Sequence, residues 1–164
     1  MARSKVSNTF KFKSSCPEDT ARLAGHFAGA LKGGAALFLE GPIGSGKTFF
    51  VRALAAALGA KKLPVSASFN LMRAYRGRLK LYHFDLFRAN EADMENIGLD
   101  EYLGRRDGIT AVEWPGAGGE LFAGADPVRL VFGLAGGDRR VISAAASEAD
   151  RRMLEAIEVK WLKR

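Results

Sequence analysis

Cysteine is nearly absent from this chain: Cys16 stands alone among 164 residues. A lone thiol excludes an internal disulfide and any zinc site built from several thiolates. Histidine is equally scarce, with only His26 and His83, so no histidine-based metal cluster can be assembled either. Long apolar runs are missing as well. Stretches such as Ala35–Leu39 and Ala53–Leu58 fall far short of the roughly 20 residues that a membrane-spanning helix needs. Charged and apolar residues alternate from Val6 to Lys13, so the apolar core of a secretory signal is lacking there. The expectation is a cytoplasmic chain with no membrane partner.

What is present suits a packed domain. Hydrophobic residues make up 48% and charged residues 26% of the sequence, enough to fill a core and coat a surface. No repeat and no Pro, Gly or Ser-rich linker divides the chain, which reads as a single domain over residues 1–164. Lysine and arginine outnumber the acids by 25 to 18, giving a net charge of +7 and favouring anionic partners. The basic residues fall in small scattered groups (Lys61-Lys62, Arg73–Lys80, Arg105-Arg106, Arg139-Arg140 and Arg151-Arg152). Each group reads first as a solvated face.

Local patterns predict an α/β order. Thr9–Lys13 alternates Phe10 and Phe12 with polar neighbours and reads as a strand. Ser15 is placed to cap a helix that opens at Pro17-Glu18-Asp19 and runs to about Leu31. The unbroken apolar run Ala35–Leu39 reads as a buried central strand, followed by a glycine loop and a helix over Lys47–Leu58 that stops at Gly59. Leu79–Phe84 and Ile109–Val112 read as further strands. Glu91–Leu103 reads as a helical stretch broken near Gly98. Val128–Leu134 and Arg139–Ala144 form a predicted hairpin across Gly136-Gly137, with a last helix from about Ser147.

Between the first buried strand and its helix stands Gly41-Pro42-Ile43-Gly44-Ser45-Gly46-Lys47-Thr48, which fits the phosphate-loop pattern G-x-x-x-x-G-K-[ST]. Successive backbone N–H groups at the helix start converge on phosphate oxygens, and the glycines admit close approach. Lys47 is the group to reach the terminal phosphates, and the Thr48 hydroxyl the one to meet a bridging magnesium. Chance matches number about 0.01 per chain of this composition, before the strand–helix context is required. Such a loop needs a carboxylate near the magnesium and a group to orient water. Asp85 and Glu113 each stand where an apolar strand runs out, and either fits the metal side. An Asn-Lys-x-Asp tetrapeptide is absent, which favours adenine over guanine.

The phosphate loop, then Ser66-Ala67-Ser68-Phe69, then His83-Phe84-Asp85-Leu86-Phe87-Arg88, then Val112-Glu113-Trp114-Pro115, in this order and spacing, resembles the TsaE (YjeE) family of bacterial ATPases. The resemblance runs from about Phe10 to the final helix. It implies a P-loop NTPase-like sheet with flanking helices and a C-terminal β-hairpin plus helix. It also implies a MgATP-dependent, weakly hydrolysing ATPase serving the threonylcarbamoyladenosine modification of transfer RNA. The partners it implies are TsaD-type and TsaB-type proteins, and whether the RNA is met directly or only through them stays open. Carried over by position, Gly41, Gly44, Ser45, Gly46, Lys47, Thr48, Ser68 and Trp114 bind nucleotide. Lys47 lies on the phosphates and Thr48 on magnesium, and Asp85 and Glu113 match the family's two essential acids; of these two we assign Glu113, with Thr48, to the metal and Asp85, with Lys47, to catalysis through water positioning or base work, and the reverse order stays open. Ser66–Phe69 matches a switch-like segment usually written S-P-T-[FY]. Here Ala67 replaces the proline and Ser68 the threonine, which keeps the hydroxyl and loses the backbone restriction.

Competing readings attach to single residues. His83, inside an apolar strand, reads as a satisfied buried histidine before it reads as a base. Trp114 is a core aromatic or a nucleotide sensor. The runner-up for the whole chain is a small-molecule kinase, which needs an acceptor pocket and usually an arginine-bearing lid. Asn90–Arg106 has the position of such a lid, yet its acids Glu91, Asp93, Glu95, Asp100 and Glu101 suit a protein contact. A third class is a nucleotide-dependent interaction module that hydrolyses nothing.

Overall fold

The computed structural model describes residues 9–61, 66–68 and 71–163. Its frame is a sheet of eight strands, β1 (Phe10–Ser14), β2 (Ala36–Glu40), β3 (Ser66–Ser68), β4 (Met72–Arg76), β5 (Lys80–Asp85), β6 (Gly108–Glu113), β7 (Val128–Leu134) and β8 (Arg140–Ala145). They lie in the order β1-β8-β7-β2-β6-β5-β4-β3. The middle of the sheet is parallel: β2 pairs with both β6 and β7, and β5 pairs with β6. Antiparallel strands extend it on both sides. The centre is buried on both faces. All six residues of β6 are buried, as parallel strands covered on two sides require.

Helices α1 (Pro17–Ala30), α2 (Lys47–Ala57) and α4 (Glu148–Leu162) cover one face. Edge-to-face rings run through this layer from Trp161 to Phe12, Phe27, Phe50 and Phe132, with centroids 5.6 to 6.4 Å apart. Phe50 therefore pins α2, and with it the loop that opens α2, to the core. Helix α3 (Glu91–Ile97) and two 3-10 turns cover the β4–β6 and β2 part of the other face, around Phe38, Tyr82, Phe84, Met94 and Leu99. Asn90 and Asp93 close a reciprocal capping box at the start of α3, and Gly98 ends it in the left-handed region, as its position in the sequence predicts.

Two details correct the sequence reading. Ser15 is not the cap of α1: Cys16 holds that position without a side-chain bond, and the Ser15 N–H donates instead to Asp19 Oδ2 at 2.9 Å. Strands β3 and β4 were not foreseen. They extend the sheet beyond β5, in a region that reads in the sequence as a switch segment followed by a basic group. No helix among the described residues is long and apolar enough to cross a membrane.

Candidate functional site

The site grows at the ends of three neighbouring strands. β2 ends at Glu40 and passes into the phosphate loop; β5 ends at Asp85 and β6 at Glu113, which stand opposite each other in register. Gly41 has φ +137°, and a side chain there would collide with the Phe132 carbonyl oxygen on β7. Only glycine lets the chain leave the sheet so close to its neighbour.

Lys47, the first residue of α2, is 4% exposed. Its ammonium donates to the carbonyl oxygens of Gly41 at 2.7 Å and Pro42 at 3.0 Å, with Ser45 Oγ at 3.5 Å. The indole of Trp114 lies 4.1 Å from Nζ. Burial pulls the Lys47 pKa below the usual lysine value, against the opposing pull of the Glu113 and Asp85 carboxylates. Both acids thus act electrostatically on the loop lysine.

Glu113 is 2% exposed, and both its oxygens are engaged. Oε2 accepts from Thr48 Oγ1 at 2.9 Å, and Oε1 lies 2.8 Å from His83 Nε2. His83 and Glu113 sit on the α2 face of adjacent strands, offset diagonally by two positions. His83 is satisfied at one nitrogen, as a buried histidine is expected to be, whereas Nδ1 has no hydrogen-bond partner among the described residues. Asp85 is more open. Its Oδ1 accepts the Phe87 N–H at 3.2 Å, which curls the chain away from β5.

Trp114 is the single non-glycine residue with positive φ among those described, at φ 60° and ψ 51°. Its N–H donates to the Leu39 carbonyl at 3.1 Å, and its ring packs against Phe87 with centroids 4.9 Å apart. Trp114, Phe87, Gly41 and Pro42 line a cleft of about 470 Å³ beside the loop. The structure therefore gathers Gly41, Ser45, Lys47, Thr48, Asp85, Glu113 and Trp114 at one end of the sheet. Gly44 and Gly46 complete the loop with positive φ. The backbone of Ser68 lies in β3; its side chain, with Phe69, lies outside the described residues. One neighbour of the site was missed in the sequence: Arg140 on β8, whose guanidinium reaches the carbonyls of Gly44 and Ser45. It reads there as half of an ordinary basic pair.

The sequence profile of the TsaE family, described as threonylcarbamoyl adenosine biosynthesis protein TsaE, matches residues 14–141. The chain belongs to the TsaE family. Among TsaE proteins, the one from Bacillus subtilis, named a tRNA threonylcarbamoyladenosine biosynthesis protein, is 36% identical over 137 residues, covering 83% of this chain and 85% of the relative. The one from Aquifex aeolicus, with the same name, is 42% identical over 100 residues, covering 59% of this chain and 70% of the relative. The crystal structure of Bacillus subtilis YdiB superposes with a TM-score of 0.78 at 31% identity, over 96% of this chain and 98% of that one. The TsaE fold expected from the sequence, an α/β P-loop NTPase-like sheet with a C-terminal hairpin and helix, is the fold found.

Proposed function

We propose that this chain is a MgATP-binding ATPase of the threonylcarbamoyladenosine modification of transfer RNA, slow alone and acting on a complex of TsaD-type and TsaB-type proteins. The observation behind the reading is the convergence of Lys47, Thr48 and Glu113 at the start of α2. The Lys47 ammonium is held inside the loop by the Gly41 and Pro42 carbonyls and lies near Ser45 Oγ, contacts it would exchange for the terminal phosphate oxygens of a bound nucleotide. Thr48 Oγ1 and Glu113 Oε2, already 2.9 Å apart, form the hard-oxygen pair that suits magnesium, which prefers one or two protein oxygens plus phosphate and water. Magnesium there would neutralise charge building on the phosphate oxygens. Asp85, with Oδ1 tied to the Phe87 N–H, would orient the attacking water through its other oxygen. Trp114 shields the lysine from solvent on one side.

A kinase lid is poorly supported. In the region Asn90–Arg106, Met94 and Leu99 are buried on the sheet, and Glu95, Asp100 and Glu101 face out, which suits a docking face for a protein. The test is to incubate the purified protein with ATP, magnesium and a metabolite panel, alone and with TsaD-type and TsaB-type proteins. Inorganic phosphate is the expected product, released faster with the partners, and Lys47→Ala should abolish its release. Phosphate transferred to a metabolite would make the chain a kinase, and release unaffected by Lys47→Ala would remove the site assignment.

A further inference from the structure

We propose that Arg140 is a positioning residue of the phosphate loop, through which the β7–β8 hairpin sets the orientation of the loop's amides; the proposal rests on the nucleotide-binding reading above. The guanidinium spans two loops. Nη1 donates to the carbonyls of Gly137 at 2.6 Å and Arg139 at 2.8 Å within the hairpin turn. Nε donates to the Ser45 carbonyl at 3.0 Å and Nη2 to the Gly44 carbonyl at 3.2 Å. The start and the middle of the loop consequently rest on the same hairpin, since Gly41 lies against the Phe132 carbonyl of β7.

The physical consequence follows from the planarity of the peptide. In a trans amide the C=O and N–H point in opposite directions. Fixing the Ser45 carbonyl on a cation outside the loop therefore points the Gly46 N–H to the inside. The Gly44 carbonyl is fixed likewise, and the N–H of the same peptide, on Ser45, donates to the Pro42 carbonyl at 3.2 Å and closes the turn. Hydrogen bonds to a charged donor also polarise these amides and strengthen their N–H groups toward an anion. Gly44 and Gly46 both have positive φ and no side chain to resist rotation. Without an external clamp, their peptides are the freest part of the cradle. Arginine suits this task better than lysine, because its planar fork reaches two separate carbonyls while anchored at a third nitrogen.

The experiment compares Arg140→Met and Arg140→Lys with the unaltered protein. Binding of ATP and ADP is measured by calorimetry, thermal midpoints are recorded, and amide proton resonances of Ser45 and Gly46 are followed by NMR. Arg140→Met should weaken ATP and ADP by similar factors of about tenfold, the size expected for losing hydrogen bonds from a charged donor. The Ser45 and Gly46 amides should shift while those in α1 stay in place. Arg140→Lys should recover only part of the affinity, and guanidinium ion should restore binding to Arg140→Met more than an equal concentration of potassium ion. Affinity within twofold of the unaltered protein, or loss only in proportion to a fallen thermal midpoint, would overturn the proposal and leave the nucleotide site standing. Failure of the unaltered protein to bind either nucleotide would overturn the nucleotide-binding reading and this proposal together.

Discussion

Replacing Glu113 by glutamine separates the fold from the function of the site. The carboxylate accepts from Thr48 at 2.9 Å and pairs with His83 at 2.8 Å while almost wholly shielded from water. Glutamine keeps the shape and has one acceptor and one donor end. The Thr48 hydroxyl can accept as readily as donate, and His83 can offer Nε2 as an acceptor by carrying its proton on Nδ1, so both contacts can be rebuilt. What is lost is the charge assistance of two hydrogen bonds, about 1 kcal/mol each. Relief from burying an ion offsets part of that, and folding should weaken by less than about 2 kcal/mol. Magnesium has no such compensation, because an amide oxygen replaces the negative charge beside Thr48. Losses of about 10 to 100-fold in metal-dependent affinity are expected. The assay titrates ATP with magnesium and with a chelator, following Trp114 emission against the constant background of Trp161. The ratio of the two affinities should collapse toward one in Glu113→Gln. A stable mutant that keeps the full magnesium effect would refute the assignment of Glu113 to the metal.

Asp85→Asn should bind MgATP with affinity near that of the unaltered protein and lose turnover by at least about 100-fold, as measured by phosphate release. Phe50→Ala, which deletes a fully buried ring between Phe27 and Phe132, should destabilise the protein by about 3 to 5 kcal/mol in urea unfolding. Asp107 accepts from Arg105, Lys80 and Tyr82, the Arg105 guanidinium first among them, and these bonds hold its carboxyl well below its ordinary pKa of 3.8. The unfolded chain thus takes up this proton first as pH falls, and the stabilisation is full above pH 3.8 and lost in more acid solution. Asp107→Asn should flatten the acid limb of the stability–pH curve, read by thermal midpoints across that range.

The strand–loop–helix at the centre was legible because every signal in it is local. Ala36–Glu40 is uninterruptedly apolar up to its last residue, glycines bound it, and the loop pattern fixes where α2 begins. The C-terminal hairpin was legible for the same reason, with Gly136-Gly137 between two alternating runs. Strand β4 was not, and its burial shows why. Met72 packs on one face and Tyr75 on the other, so the residues between them do not alternate, and its arginines read as a solvated basic group. Asp85 and Glu113 do end their strands, as their place in the sequence predicts, yet the long-range contacts around them were not legible. His83 meets Glu113 across 30 residues of sequence, and Arg140 meets Ser45 across 95. Neither pair leaves a local pattern, since each depends on which strands the sheet places side by side.

Trp114 joins these local and distant elements. A tryptophan in the left-handed region costs about 1 to 2 kcal/mol of backbone strain, and three contacts hold it there: the N–H bond to Leu39, the ring packing on Phe87, and the Lys47 ammonium over the indole. Each contact comes from a different strand end or its following loop. The turn after β6 is thereby tied to β2, to the segment after β5 and to the loop lysine at once. The ring that covers Lys47 is thus the same ring that packs on Phe87. The loop lysine is in this way linked to the rim of the cleft, where Phe87 is 47% exposed.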